Sequence, residues 1–577
     1  MVDQVKLTAS LEQADRLLRQ GELQDAEALY REILDNTPGQ PNASQGLGLI
    51  ALHTGNASAA VELLQMASIG LPEDATIHTH LGLAFATARD VRSAEGCYRK
   101  AIALAKDFAD AHLNLANLLL ESGQTDEATI EYEAAVGIAP ESGAVHYGMA
   151  MLELNRGRPG AAIAAFEKAL TYAPELLPAR VNLATLLYRR GSHEDAVTQL
   201  EEAVSFAPDS FDARLNLCAM LQQTNRTSDA VEIARGTLAL APESPELLLN
   251  LSSAESANGQ PEDAWRTLDR ALGVAPDYAP AKLNRAMVRL LMGDMPGGWE
   301  DFEARPSRGI LPHPSIAEIP LWKGEDLAGL SILVWAEQGY GDVIQFARFL
   351  PLLKERGARV FLHVPPALKR LFTGIPAIEG VLVRDRDESL PIVDFQLPIL
   401  SIMNRLNIGL EDLELTKDFT PQSTRGAELS ANDDKPIVGI CWQGSEANPN
   451  DHRRSISPAV LLDRLAGLDF QFIGLQFGIP DAPMDNPGKD VQDFAEMAAL
   501  IQQTNLVISV DTSVAHLAGA LKKPVWTMLS YAPDWRWQTE RKDSPWYPTM
   551  RLFRQPAPGD WNGVFDQITA ALGDYTR

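Results

Sequence analysis

The sequence predicts an α-solenoid of short helical repeats followed by an α/β region of two lobes with parallel sheets. Three observations carry this. Alanine recurs every 34 residues through the first half, at 26, 60, 94, 128, 162, 196, 230 and 264. Proline follows on the same period at 38, 72, 140, 174, 208, 242 and 276, with Lys106 in the one gap. Beyond Leu321 short apolar runs alternate with helical stretches, the pattern of strands linked by helices.

Each feature of the repeat has a physical reason. Gly21, Gly55, Gly123, Gly157, Gly191, Asn225 and Gly259 suit the left-handed turn that ends a first helix. The small alanine lets the second helix approach the first, and proline stops the second helix before the next unit. Tyr30, Tyr98, Tyr132, Phe166 and Leu200, four residues after their alanines, supply core bulk. A unit of this size cannot bury its apolar face alone, so the units stack into a solenoid. Period and positions resemble the tetratricopeptide repeat over eight units, about Leu7 to Asp277, with a degenerate ninth at Pro280–Phe302.

In this repeat class the first helix lines the concave groove. Its sixth position reads Asn114, Asn182, Asn216, Asn250 and Asn284, with Gly148 interrupting and Gly46 and His80 in earlier units. An asparagine side chain donates to and accepts from a peptide backbone, so such a row can hold an extended chain without reading its sequence. The alternative is that asparagine is tolerated on a half-exposed helix, although it is a mediocre helix former. At about 1 kcal/mol per bond, five bonds imply roughly millimolar rather than nanomolar affinity, suited to a substrate that must leave.

A proline-punctuated connector, Glu303–Pro320 with Pro306, Pro312, Pro314 and Pro320, reads as a semi-rigid tether. Strands are then expected at Ser331–Trp335, Arg359–Val364, Val381–Val383, Ile437–Cys441, Phe470–Gly474, Leu506–Val510 and Val525–Leu529. The polar stretch Thr420–Asp434 separates two Rossmann-like groups, placing ligands at the carboxyl ends of the strands. The boundaries follow: repeats 1–302, connector 303–320, first lobe 321–430 and second lobe 431–577.

Three strand-end loops carry the candidate chemistry. In Glu337-Gln-Gly-Tyr-Gly-Asp342, Gly339 and Gly341 allow a tight turn. Asp342 there is either a helix cap or a carboxylate able to take a proton from an acceptor hydroxyl. The loop after Trp442 offers Gln443, Ser445 and the pair Arg453 and Arg454 for a nucleotide phosphate. Adjacent arginines are usually a solvated pair, so only one need point inward. The third loop presents Asp511, Thr512 and Ser513 at a helix start that can cradle phosphate, with His516 one turn on. A histidine in such a place is more often a satisfied core residue than a ligand.

The strand-Asp511-Thr-Ser-x-x-His516-Leu-Ala-Gly-Ala520 run, ending at Pro524, resembles the donor-site signature of heptosyltransferase-like glycosyltransferases. The Gly341-Asp342 turn resembles that family's N-terminal motif. The resemblance covers about Leu321 to the C-terminus and implies a GT-B glycosyltransferase fold, inverting chemistry and Asp342 as catalytic base. One departure is the second-lobe phosphate loop, where the family usually has lysine and this chain has Asn448, Asn450, Arg453 and Arg454. The whole architecture resembles that of O-GlcNAc transferases. It is more similar still to bacterial repeat-fused transferases that modify flagellin with nonulosonic sugars such as pseudaminic acid. That likeness includes Pro533-Asp-Trp-Arg-Trp537 and Asp543-Ser-Pro-Trp-Tyr547. Trp535, Trp537 and Trp546 either stack on a base or sugar or pack the last helices.

Composition narrows the field. The net charge of -27 opposes a general nucleic-acid binder and a chain resting on anionic lipid. No signal peptide or membrane span is read, and Cys97, Cys218 and Cys441 give no disulfide framework or metal spacing, so a cytoplasmic protein is expected. Asp385-Arg-Asp387 spells a DxD but sits in a charged loop, and Asp433-Asp434 reads as linker; no metal or other cofactor is expected. The resulting expectation is a protein O-glycosyltransferase whose partners are a nucleotide-sugar donor and a protein substrate, flagellin by resemblance. An adaptor or export chaperone with degenerate lobes is the alternative. A lipopolysaccharide sugar transferase fits an acidic chain with a peptide-type groove less well.

Overall fold

A computed structural model describes residues 2–305, 314–383, 390–416, 420–423, 429, 435–445, 451–479 and 482–575. Pro306, Pro312, Asp385, Asp387, Asp433, Asp434, Asn448 and Asn450, named above, lie outside the described residues. The chain forms two compact units, Met1–Asn216 and Leu217–Arg577.

The first unit is a stack of antiparallel helix pairs, from Val2–Gln20 with Leu23–Asn36 to Leu177–Arg190 with His193–Phe206. The marker alanines behave as their spacing demands: all eight, in both units, have no exposed surface. The interhelix turns are left-handed at the expected glycines and at Asn225 (φ 61°), and Arg89 (φ 63°) takes the same conformation where its repeat lacks glycine. Two interruptions of the asparagine row have a steric cause. A Cβ on Gly46 would lie 2.3 Å from the Tyr30 ring, and one on Gly148 would lie 2.4 Å from that of Tyr132. Those tyrosines are anchored by hydroxyl bonds to Asp15 (2.5 Å) and Asn117 (2.6 Å).

One repeated device escaped the sequence reading. The fourth position of successive first helices holds His78, His112, His146, Arg180 and Arg214. Each donates to the carbonyl six residues earlier, those of Pro72, Lys106, Pro140, Pro174 and Pro208. A carbonyl in the inter-repeat turn, outside any helix, thus receives a donor. Because the register changes from histidine to arginine after His146, no single residue type marks it along the whole array.

The second unit carries the remaining repeats, ending in Ala279–Met292 and Met295–Phe302, and both α/β lobes. In the first lobe β1 (Ser331–Trp335), β2 (Arg359–Val364), β3 (Gly380–Val383) and β4 (Phe395–Pro398) form a parallel sheet in the order β3-β2-β1-β4. In the second, β5 (Ile437–Cys441), β6 (Gln471–Gly474), β7 (Leu506–Val510), β8 (Val525–Leu529) and β9 (Met550–Arg554) run parallel in the order β6-β5-β7-β8-β9. Strands β4 and β9 were not foreseen. Both are edge strands interrupted by polar residues, Gln396 in β4 and Arg551 in β9, so neither shows the continuous apolar run of a central parallel strand.

The last repeat is welded to the lobes. Met295, Trp299 and Phe302 share one apolar core with Trp322, Val334 and Phe346 of the first lobe and Trp535 of the second. Arg305 is buried and makes a two-pronged ion pair with Glu337 at 2.8 and 2.9 Å. Glu337, beyond the end of β1, also accepts from the Leu400 amide, so it is a structural anchor at the head of the candidate loop.

Candidate active site

Sheet order locates the site. In the first lobe the order reverses at β1, between β2 and β4; in the second it reverses at β5, between β6 and β7. Loops at such reversals splay apart and leave a crevice at the strands' carboxyl ends. The turn after β1 enters helix Tyr340–Phe346 with Gly339 as its cap, and the turn after β7 enters helix Ser513–Ala520 with Thr512 as its cap. The two helices pack together. A Cβ on Gly341 would lie 3.0 Å from His516 Cδ2, so glycine is what allows the two turns to meet.

Asp342 stands in the first turn of its helix and accepts from Arg536, whose guanidinium also reaches Asp534 at 2.8 Å and Gln345 at 2.6 Å. Burial pushes the Asp342 carboxyl above its ordinary range, Arg536 pulls it back, and Asp534 raises it again. Burial works against the charge on Arg536, but Asp534 and Asp342 outweigh it and hold the proton on. A carboxylate raised in this way is a better proton acceptor once ionised. Arg536 is the residue the sequence reading missed. Its own signal was local, a lone cation between Trp535 and Trp537, with its ring contact to Trp535 at 4.2 Å.

Across the cleft, Asp511 is raised to about 6 by burial and then by Asp534, with Trp537, Arg536 and Arg454 acting the other way. The arginine pair divides. Arg454 bonds Asp451 at 3.0 Å and the Asp511 carbonyl at 2.8 Å, which sets it beside the β7 turn. Arg453 donates instead to the Gln222 carbonyl of a repeat at 2.9 Å. Only one of the pair was expected to point inward, and Arg454 is the one set beside that turn, while Arg453 is engaged with the repeats.

The structure places the five further candidates as follows: His516, Thr512, Ser513, Ser445 and Gln443 each have defined surroundings. His516 bonds the Tyr547 hydroxyl at 3.0 Å and stacks on Trp537 at 5.4 Å; burial, then Arg536 and Arg454, drive its pKa well below the ordinary value. It lies buried between the two turns, held through Nδ1. The Thr512 hydroxyl turns beneath its own loop to Ser509 at 3.1 Å, leaving backbone amides at the helix start. Ser513 is half-buried, while Ser445 is exposed. Gln443 has its backbone amide and carbonyl bonded to the Gln476 side chain, both at 3.1 Å.

Residues 492–555 match glycosyltransferase family 9 (heptosyltransferase). The matched segment contains Asp511–Ser513, His516, Asp534, Arg536 and Tyr547. Residues 11–75, 79–143 and 153–223 match tetratricopeptide repeats. Protein FlbA of Caulobacter vibrioides is 28% identical over 329 residues, 50% of this chain; the chain spans 54% of that relative's length. Among solved structures, YrrB, a TPR protein with an unusual peptide-binding site, aligns at 23% identity over 32% of this chain and 95% of its own (TM-score 0.29). The Cut9–Hcn1 hetero-tetramer of the APC/C aligns at 15% over 48% and 55% (TM-score 0.35).

The tryptophans resolve toward packing: Trp535, Trp537 and Trp546 are at most 4% exposed, so no ring face is left for a sugar. In the repeats, Asn114, Asn182, Asn216, Asn250 and Asn284 are all half-buried. Asn182 reaches Tyr147 at 3.4 Å, Asn216 its own helix at Asp212 (2.7 Å), and Asn284 reaches Ser253 at 3.1 Å. Among the described residues no helix is long and apolar enough to cross a membrane, and no group of three His, Cys, Asp or Glu is placed to hold a metal ion.

Proposed function

We propose that the chain is a cytoplasmic, GT-B-type protein O-glycosyltransferase that moves a sugar from a nucleotide donor to a serine or threonine. One observation carries the reading: the Gly339–Asp342 turn of one lobe faces the Asp511–Ser513 turn of the other, with Arg454 and Arg536 beside them. The acceptor oxygen attacks the anomeric carbon as the bond to the nucleotide's phosphate oxygen breaks. Asp342 takes the hydroxyl proton, and the nucleotide leaves with the electron pair. Attack on the face opposite the departing phosphate inverts the anomeric centre, and Arg454 with the amides opening helix Ser513–Ala520 offsets the leaving charge without calling for a metal. The asparagine row in the repeats holds an extended stretch of the protein acceptor.

Flagellin and a nonulosonic acid such as pseudaminic acid are the acceptor and sugar of first choice, on the resemblance to repeat-fused flagellin transferases. The test is the intact mass of flagellin co-expressed with this protein and a nonulosonic acid pathway, beside the Asp342→Ala variant. A discrete added mass on Ser or Thr, absent with the variant, is expected. Binding of the acceptor without any added mass overturns the enzymatic reading in favour of an adaptor or export chaperone.

A further inference from the structure

We propose that Phe477 is the platform on which the base of the donor nucleotide stacks; the inference rests on the nucleotide-donor reading above. Phe477 follows β6 at the carboxyl edge of the second sheet, and its side chain is 49% exposed. The exposure does not come from a slack loop. Buried Asn486 accepts from the Gln476 amide at 3.1 Å and donates to the carbonyls of Gln476 (3.0 Å) and Ile479 (2.9 Å). Gly488 packs so tightly under Leu475 that a Cβ there would lie 2.7 Å from its carbonyl carbon. A turn braced on both sides thus holds a phenylalanine out in water.

Position supplies the ligand. Arg454 and the opening of helix Ser513–Ala520 mark the phosphate end at β7. Strand β6 lies two places away, past β5, which at 4.7–4.9 Å per strand is about 10 Å. That is the order of the reach from a nucleotide's phosphates across its ribose to the base. The opposite direction is filled. Beyond β8, Tyr531 lies against a repeat, where a Cβ on Gly259 would meet its ring at 2.8 Å, and Trp535 and Trp537 are buried. The Gln476 side chain ties the platform to the phosphate side, holding the Gln443 backbone and lying 3.5 Å from Cys441 Sγ, itself 3.6 Å from the Thr512 hydroxyl. An aromatic face accepts any base, so Phe477 contributes affinity for the nucleotide while the choice of base lies elsewhere.

The experiment is calorimetric titration of the full chain with free CMP, UDP, ADP and GDP, in the wild type and in Phe477→Ala and Phe477→Tyr. The nucleotide that binds best should lose about tenfold or more in affinity with Phe477→Ala and stay within about threefold with Phe477→Tyr. Inorganic pyrophosphate should bind all three proteins alike. Equal nucleotide affinity in wild type and Phe477→Ala overturns the platform and leaves the donor reading standing. A wild type that binds none of the nucleotides overturns the donor reading and the platform with it.

Discussion

Replacing Arg536 with methionine removes the cation that Asp342 and Asp534 share while keeping most of the side chain's bulk. An opposite charge this close typically holds a carboxyl down by about 1–3 pKa units, each worth about 1.36 kcal/mol. Burial has already raised Asp342 in the intact protein, so loss of Arg536 moves it further upward. The proposed base must be ionised to work. The acid limb of the kcat/KM profile should therefore shift to higher pH by about 1–3 units, with the plateau recovered on the alkaline side. Stability provides a second readout with its own sign. A carboxyl whose folded pKa is raised contributes most at low pH, and that contribution fades as pH rises through the folded value. The cost of Arg536→Met, about 3–5 kcal/mol for a broken buried pair, should thus be small in acid and grow toward neutrality. The assays are a pH–rate series and urea denaturation at several pH values. A profile scaled down uniformly with an unmoved acid limb, or a denaturation penalty independent of pH, refutes the coupling of Arg536 to Asp342.

Other expectations follow from the same geometry. Asp511→Asn removes a charge that folding makes costly, so its stability relative to wild type should improve between pH about 4 and about 6 and level off above, as read by thermal melting. Arg454→Ala should weaken nucleotide binding by about tenfold or more, whereas Arg453→Ala should leave it unchanged and lower the melting temperature instead. Gly148→Ala drives a methyl into the Tyr132 ring and should cost about 1–3 kcal/mol in chemical denaturation. Arg89→Gly relieves a left-handed backbone at an arginine and should stabilise the repeats by about 0.5 kcal/mol after the extra unfolded-state entropy is counted.

Repetition and apolar runs made most of the architecture legible. The 34-residue marker alanines named the helix contacts, and β1, β2, β5, β7 and β8 fell where continuous apolar residues end in a turn. The two turns that face each other were also visible, because each follows a central strand. Their partners were not. Arg536 meets Asp342 across 194 residues of chain, and no local pattern encodes such a pairing. The division of Arg453 from Arg454 depends on which element lies on each side of one short helix. The contacts of His516 with Tyr547 and Trp537 come from another loop and were equally invisible.

The ion pair between Arg305 and Glu337 has a practical bearing on where the chain can be divided. The proline-rich stretch after residue 305 invites a cut between repeats and lobes, but a fragment starting there would keep Glu337 buried without its cation. It would also lay bare the apolar surface that Met295, Trp299 and Phe302 cover. A self-sufficient fragment containing the lobes has to begin among the repeats, carrying the last of them as part of its own body. Repeats can then be added or removed with least disruption toward the N-terminal side, where they share no core with the lobes.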